Sequence, residues 1–429
     1  MNTLIANITR ISFFVYFFFI FFGTSMPFRD KIMDVDDIGT SNLVNQLVFS
    51  SLFLISTFSL VFRYREVLQF IKREKFLTIF MGWCLLSVFW SDYSFVAFKR
   101  FFQVLTTVTV CLAFLLHTDT SERAHSYFRA VLFLYIPITL AAIVLIPGAI
   151  DPDHGTWRGL APSKNFFGQV LLVSILVWVY RINSGSAMRR VLSYSMLAAS
   201  IVLLFGSKSI TSILTFFFLI GIYVLFFADS IFKDLRIGRL FSMTLVGSFL
   251  ILAAAIFFMA PGLIDEGFAM IGKDATFTGR TELWIDLLDE VQKHFWLGCG
   301  FSSFWVVDNP NLLDLYMKYV WLPNEAHLGY LDILNETGAI GFLLFTIMVV
   351  AYFKDVLLSG KASYWVWFVA LTLTVNFQES TLFRQNVLTG VMFIFGYMTL
   401  YADKIAQENA LVNLHRYEDS EAPVAEWYP

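Results

Sequence analysis

His327 is the residue in this chain best suited by type to move a proton. It follows Pro323-Asn324-Glu325-Ala326 and starts an apolar segment that runs to Gly338. An imidazole titrates near neutrality and can take the proton of a hydroxyl. The plainer reading of a loop histidine is a structural or merely exposed side chain. Glu325 lies two residues away. On a helix the two would not share a face, so Glu325 reads either as a carboxylate favoured by a helix N-terminus or as a group that touches substrate. Cations spread over separate loops suggest a second chemistry: Arg100, Arg158, Lys164, Lys208, Arg280 and Arg384. A guanidinium offers phosphate oxygens a two-pronged hydrogen bond, and several cations on one face suggest a phosphate or pyrophosphate site. Taken singly, such a cation is more often an anchor at a membrane interface. Arg280 differs, because it lies off the end of any apolar run and opens an amphipathic stretch.

Other chemistries find little support. Asp34, Asp36 and Asp37 look like a solvated loop, and no spacing of Asp, His or Cys matches a zinc or calcium motif. There is no Walker or dinucleotide motif, and no basic patch interleaved with aromatics of the kind nucleic acid would need. The expectation is an activity without metal or other cofactor. Cys84, Cys111 and Cys299 make no disulfide framework.

The elements that position these residues must be membrane helices. Hydrophobic residues make up 58% of the chain and charged ones 15%, with 49 Phe; a soluble domain carries nearer a quarter charged. Apolar runs at 11–28, 43–62, 76–90, 101–117, 128–147, 166–180, 191–206, 210–227, 241–260, 338–353, 364–381 and 387–402 are each near the length that spans the hydrocarbon core as a helix. The predicted fold is all-α, a transmembrane bundle of about twelve spans over residues 1–402. Lys and Arg set its orientation. Arg63, Arg65, Lys72, Arg73 and Lys75, then Arg181, Arg189 and Arg190, then Lys233, Arg236 and Arg239 fall in alternate loops. Those loops, and with them both termini, are placed in the cytoplasm of an inner membrane. The candidate site residues then lie on the outer face.

One long loop, 261–337, joins the ninth and tenth spans on that outer side. Loops this long are usually functional or disordered. Here Trp284, Leu287, Leu288, Val291 and Phe295 fall at helical spacing opposite Glu282, Asp286, Asp289, Glu290 and Lys293. The reading preferred is a helix lying on the membrane surface over the bundle; the alternative is a helix packing on the loop's own core. Residues 403–429 read as a polar, mobile cytoplasmic tail.

With these pieces in order, the chain resembles the O-antigen ligase and Wzy-type polysaccharide polymerase superfamily, most of all its exopolysaccharide polymerase branch. The resemblance is carried by Ser91-Asp92 with Lys99-Arg100, by Arg158-Gly159 with Lys164-Asn165, and by Gly206-Ser207-Lys208-Ser209. It continues through Thr278-Gly279-Arg280-Thr281-Glu282-Leu283-Trp284, Leu297-Gly298-Cys299-Gly300, and Asn324-Glu325-Ala326-His327 leading to Glu336-Thr337-Gly338 and Gly341. It implies transfer of a glycan from an undecaprenyl-pyrophosphate carrier to an acceptor glycan on the periplasmic face. It also implies that Arg100, Arg158 and Arg280 hold the leaving pyrophosphate and that His327 is the base. Many relatives have Asn directly after that histidine, where this chain has Leu328. The partners implied are the lipid-linked oligosaccharide, the acceptor, membrane lipid and other polysaccharide export proteins. Two competing readings are a lipid-linked glycan transporter, disfavoured by the lack of an internal repeat, and a non-catalytic export scaffold.

Overall fold

A computed structural model describes residues 2–22, 43–118, 121–152, 155–231, 280–319, 322–359 and 364–421. The apolar run 241–260, the first part of the long loop to Gly279, the basic residues Lys233, Arg236 and Arg239, and Asp34, Asp36 and Asp37 lie outside these residues. Among the described residues there are fourteen α-helices. In chain order they are α1 (Asn2–Phe22), α2 (Leu43–Val61), α3 (Tyr64–Arg73), α4 (Lys75–Leu86), α5 (Ser94–His117), α6 (Glu122–Leu145) and α7 (Lys164–Val179). There follow α8 (Ala187–Gly206), α9 (Ile210–Ile231), α10 (Arg280–Lys293), α11 (Pro310–Lys318), α12 (Gly329–Ser359), α13 (Val366–Val375) and α14 (Leu388–Glu421). Six of them, α1, α2, α5, α6, α8 and α12, are long and apolar enough to cross a membrane, and α4, α7, α9 and α13 are shorter apolar helices. The protein is a multi-pass, all-helical membrane protein.

Every other apolar run read from the sequence falls on one of these helices, with corrected ends. The run at 364–381 gives only the ten residues of α13. The helix stops there because the Asn376 side chain folds back: its amide donates to Thr372 O at 2.6 Å, and its carbonyl accepts from Thr381 N and Leu382 N at 2.9 and 3.0 Å. The segment 376–387, which holds Glu379 and Arg384, is therefore a loop. At the other end, α14 continues past Asp403 to Glu421, so the polar tail begins as helix.

Polar contacts sort the helix ends into two groups. At one end Arg73 pairs with Glu408, Arg181 with Glu122 at 2.6 Å, Lys404 with Asp355 at 3.2 Å, and Ser121 bonds Asp403 and Trp365. At the opposite end lie the starts of α5, α7, α9, α12 and α14 and the end of α13. Between the two, aromatic rings fill the interior; Phe13 stacks on Phe114 with ring centroids 3.8 Å apart.

The long loop carries its own core. Leu283, Trp284, Leu287 and Val291 of α10 pack with Phe304, Trp305, Leu312, Leu315, Tyr319 and Leu331. The membrane-surface reading of α10 is thus corrected: its buried face meets protein, while Leu288 and Phe295, counted in the same stripe, are exposed. Lys318 anchors α11 to Asp286 of α10 at 2.7 Å.

This loop is fastened to a break in α12. Gly338 sits at φ 68°, ψ −178°, a region open in practice to glycine alone. The break frees backbone groups, and unsatisfied groups cost roughly several kcal/mol each away from water. The loop supplies partners. Cys299 N and Gly300 N donate to Asn335 O and Glu336 O, both at 3.0 Å, while Ala339 N and Ile340 N donate to Phe295 O and Trp296 O at 2.7 and 3.3 Å. Trp83 Nε1 donates to Thr337 O at 2.9 Å. The backbones approach closely: a Cβ on Gly298 would lie 2.5 Å from Gly338 N, and one on Gly338 would lie 2.3 Å from Trp296 O.

Candidate active site

His327 is not helical. It precedes α12 in the left-handed region at φ 50°, and its neighbours hold it there. Ala326 N donates to Asp332 Oδ2 at 3.1 Å, Ala326 O accepts from Trp284 Nε1 at 2.7 Å, and Gly329 N donates to Asn376 O at 2.9 Å. Three elements, α10, α12 and the 376–387 loop, fix one imidazole. Trp284→Phe removes the indole N–H that donates to the Ala326 carbonyl without opening a large cavity. It should cost about 1–3 kcal/mol of stability and lower kcat several-fold with little change in KM, read from a melting curve and from steady-state kinetics.

Two carboxylates face the ring. His327 Nδ1 lies 3.0 Å from Glu325 Oε1 and 3.1 Å from Glu379 Oε2. The helical argument against Glu325 as a partner therefore fails, because residues 324–328 form bends and the i, i+2 side chains converge. Glu379 is the hub. Its Oε1 accepts from Asn165 Nδ2 at 2.7 Å and lies 3.5 Å from Arg280 Nη2; Asn165 Oδ1 in turn accepts from Ser209 Oγ at 3.0 Å. Arg280 also donates to Gln378 O at 2.9 Å.

The electrostatics follow from burial and these contacts. Burial opposes a charge on His327, but hydrogen bonds and attraction from Glu325 and Glu379 more than offset it and hold the imidazole at about 9. Burial would raise Glu379 as well, yet its bond to His327 and the charges of His327 and Arg280 bring it down to about 2. Glu325 is pushed up, first by burial and then by the Glu379 charge. The three form a proton-sharing set: an ionised Glu379, a Glu325 inclined to keep its proton, and an imidazole whose Nδ1–H points at carboxylate. When neutral, that imidazole carries its lone pair on Nε2.

The remaining expected residues divide. Lys164 begins α7 beside Asn165, and Lys208 stands exposed beside Ser209, so both come from the turns that supply polar groups to Glu379. Arg158 donates to Gly148 O at 2.7 Å within a hairpin closed by the Ile150–Trp157 bridge. That hairpin meets the same turn, with Trp157 N donating to Gly206 O at 3.1 Å. Arg384 pairs with Asp332 at 2.7 Å and approaches Glu336 to 3.6 Å. Arg100 is buried, donating to Ser302 O at 2.6 Å and Trp305 O at 3.0 Å. These last two guanidiniums brace the loop core and the start of α12.

Glu325, His327 and Glu379 also present their ligand atoms within 4.8 Å of one another, a spacing that could hold a metal ion. Glu379 already faces one guanidinium and one amide, so a divalent cation would compete with Arg280 for the same carboxylate.

Comparison with known proteins agrees with the motifs. Residues 195–346 match the family model described as O-antigen ligase; this stretch contains Arg280, Glu325, His327 and the break at Gly338. The chain is also similar to the exopolysaccharide production protein ExoQ of Rhizobium meliloti (strain 1021), being 25% identical over 302 residues, 68% of this chain and 67% of that protein. Residues 195–346, about a third of the chain, thus resemble the O-antigen ligase family.

Proposed function

We propose that the protein is a membrane glycosyltransferase that polymerises or ligates undecaprenyl-pyrophosphate-linked glycan at the periplasmic face, in exopolysaccharide or O-antigen biosynthesis. The observation that carries this reading is an imidazole set between two carboxylates beside Arg280, at the bundle end opposite the Lys/Arg-rich loops. Basic loops are retained in the cytoplasm, so the cluster faces outward and the termini inward.

In the proposed reaction His327 Nε2 takes the proton of an acceptor hydroxyl. The acceptor oxygen bonds to the anomeric carbon of the lipid-linked sugar, and the carbon–oxygen bond to pyrophosphate breaks with its electron pair on the leaving group. Arg280, with Arg158, Lys164 and Lys208 from the neighbouring turns, meets the developing charge. Arg100 and Arg384 shape the wall behind it. Pyrophosphate leaves without protonation, so one base and cationic stabilisation suffice. Purified protein in liposomes should lengthen or transfer lipid-linked oligosaccharide with no ion gradient and no second protein; a transporter would do neither. Unchanged turnover after exhaustive chelation is expected, and restoration of chelator-lost activity by a divalent cation would move the role of Glu325 and Glu379 to metal binding.

The pKa of His327 sets a pH profile. At about 9, roughly one imidazole in a hundred is neutral at pH 7, and the base form grows with pH. Transfer should therefore rise about tenfold per pH unit below pH 9 and level off above it. Glu379→Gln removes an anion that favours the imidazolium, so the rising limb should move to lower pH. A rate that falls through pH 9 would instead make the imidazolium a pyrophosphate-holding cation.

A further inference from the structure

We propose that a cavity between the turn preceding α5 and the loop following α10 is a glycan subsite, holding the acceptor or growing chain a few sugars away from the reacting one. This rests on the transferase reading and extends it to a surface that reading does not use. The cavity has a volume of about 640 Å³ and is walled by Trp90, Tyr93 and Trp296 together with Asp92, Gln292 and Asn311. A sugar ring has an apolar face of C–H groups and a rim of hydroxyls. Indole and phenol rings suit the first, and carboxylate and amide groups suit the second. Trp296 is two-thirds exposed, at 67%, although it sits in a loop whose backbone is strapped to α12.

Charge argues against a phosphate occupant. The cation in the wall, Lys293, is paired with Glu290 at 2.5 Å, and Asp92 adds a negative group. The site therefore suits an uncharged stretch of glycan better than a lipid headgroup or pyrophosphate. Its location fits a chain rather than a reacting unit. Helix α10 begins with Arg280 in the catalytic cluster and reaches the cavity at Gln292, twelve residues and about 18 Å further on.

The test uses full-length protein in nanodiscs and oligosaccharides released by partial acid hydrolysis of the source organism's own surface polysaccharide. Binding is followed by calorimetry and saturation-transfer NMR, neither of which needs turnover. Wild type and His327→Ala should bind alike. Trp296→Ala, which leaves the backbone straps in place, should weaken binding at least tenfold, and Gln292→Ala with Asn311→Ala several-fold, at unchanged melting temperature. In the transfer assay Trp296→Ala should raise the acceptor KM more than it lowers kcat and should shorten the polymer. Unaltered glycan binding by both variants overturns the subsite. Unaltered binding with poorer membrane insertion overturns it too and marks Trp296 as an interfacial anchor. Glycan binding that depends on Trp296 in a protein without transfer activity keeps the subsite and removes the transferase reading. Transfer that depends on His327 with an acceptor KM indifferent to Trp296 does the reverse.

Discussion

Replacing His327 by alanine is expected to leave a folded, inserted protein whose glycan transfer falls about a hundredfold or more. The fold should survive because the backbone on both sides of this position is held by Trp284, Asp332 and Asn376 through the main-chain groups of Ala326 and Gly329, which the substitution leaves in place. Removing the ring brings Glu325 and Glu379 face to face. Glu325 already favours its protonated form, so the pair can share a proton instead of repelling. Activity should fall because no other group described in the cluster offers a basic lone pair at this position: Glu379 is held near 2 and is a far weaker base. His327→Gln separates the roles. It can still donate to Glu379 but accepts no proton, and it should be as inactive as alanine. Polymer length on gels and single-turnover transfer in liposomes measure both. Full-length polymer from either variant removes the base assignment.

The second large effect is structural. Gly338→Ala is expected to destabilise the protein by more than about 3 kcal/mol, enough to deplete it from the membrane. Two costs combine. The backbone conformation at φ 68°, ψ −178° strains any residue with a Cβ, and that Cβ would lie 2.3 Å from Trp296 O. Relief would require the loop to move off α12, stripping partners from four backbone groups. Gly341→Ala is a useful comparison: its Cβ would also crowd Thr337 and Trp83, at 2.3–2.7 Å, but its backbone is helical, so no strain at positive φ is added. Detergent-solubilised melting curves and membrane abundance should rank wild type above Gly341→Ala and both above Gly338→Ala. Equal stability of Gly338→Ala and wild type would mean the break is not needed.

Spans such as 43–62 and 210–227 could be read closely because about twenty apolar residues have few other uses. Arg280, Glu325 and His327 were legible as types in a long loop, and they do converge. The break in α12 was not legible, because a glycine inside an apolar run carries no signal of its own; its reason lies in Gly298, forty residues away in the chain. The part played by Glu379 was hidden in the same way. In the sequence it is a carboxylate near the end of an apolar run, and only the early stop imposed by Asn376 turns it into a loop residue facing His327. The stripe on α10 was visible but its partner was not, since hydrophobic spacing says which face is covered and not by what. Arg100 and Arg384 show the limit for cations: their types suit phosphate, yet their hydrogen bonds go to protein carbonyls and carboxylates.

The order in which the cluster is assembled constrains how the protein is made. Asn165 and Glu379, joined by a single hydrogen bond, are separated by 214 positions. During synthesis the amide enters the membrane long before the carboxylate leaves the ribosome. A nascent chain holding His327 but not yet the segment after α13 has an imidazole without Glu379 to keep its proton, and an Arg280 without its counter-ion. The carboxylate that joins Arg280, Asn165 and His327 thus arrives only with the turn after α13, and the cluster is completed late in synthesis.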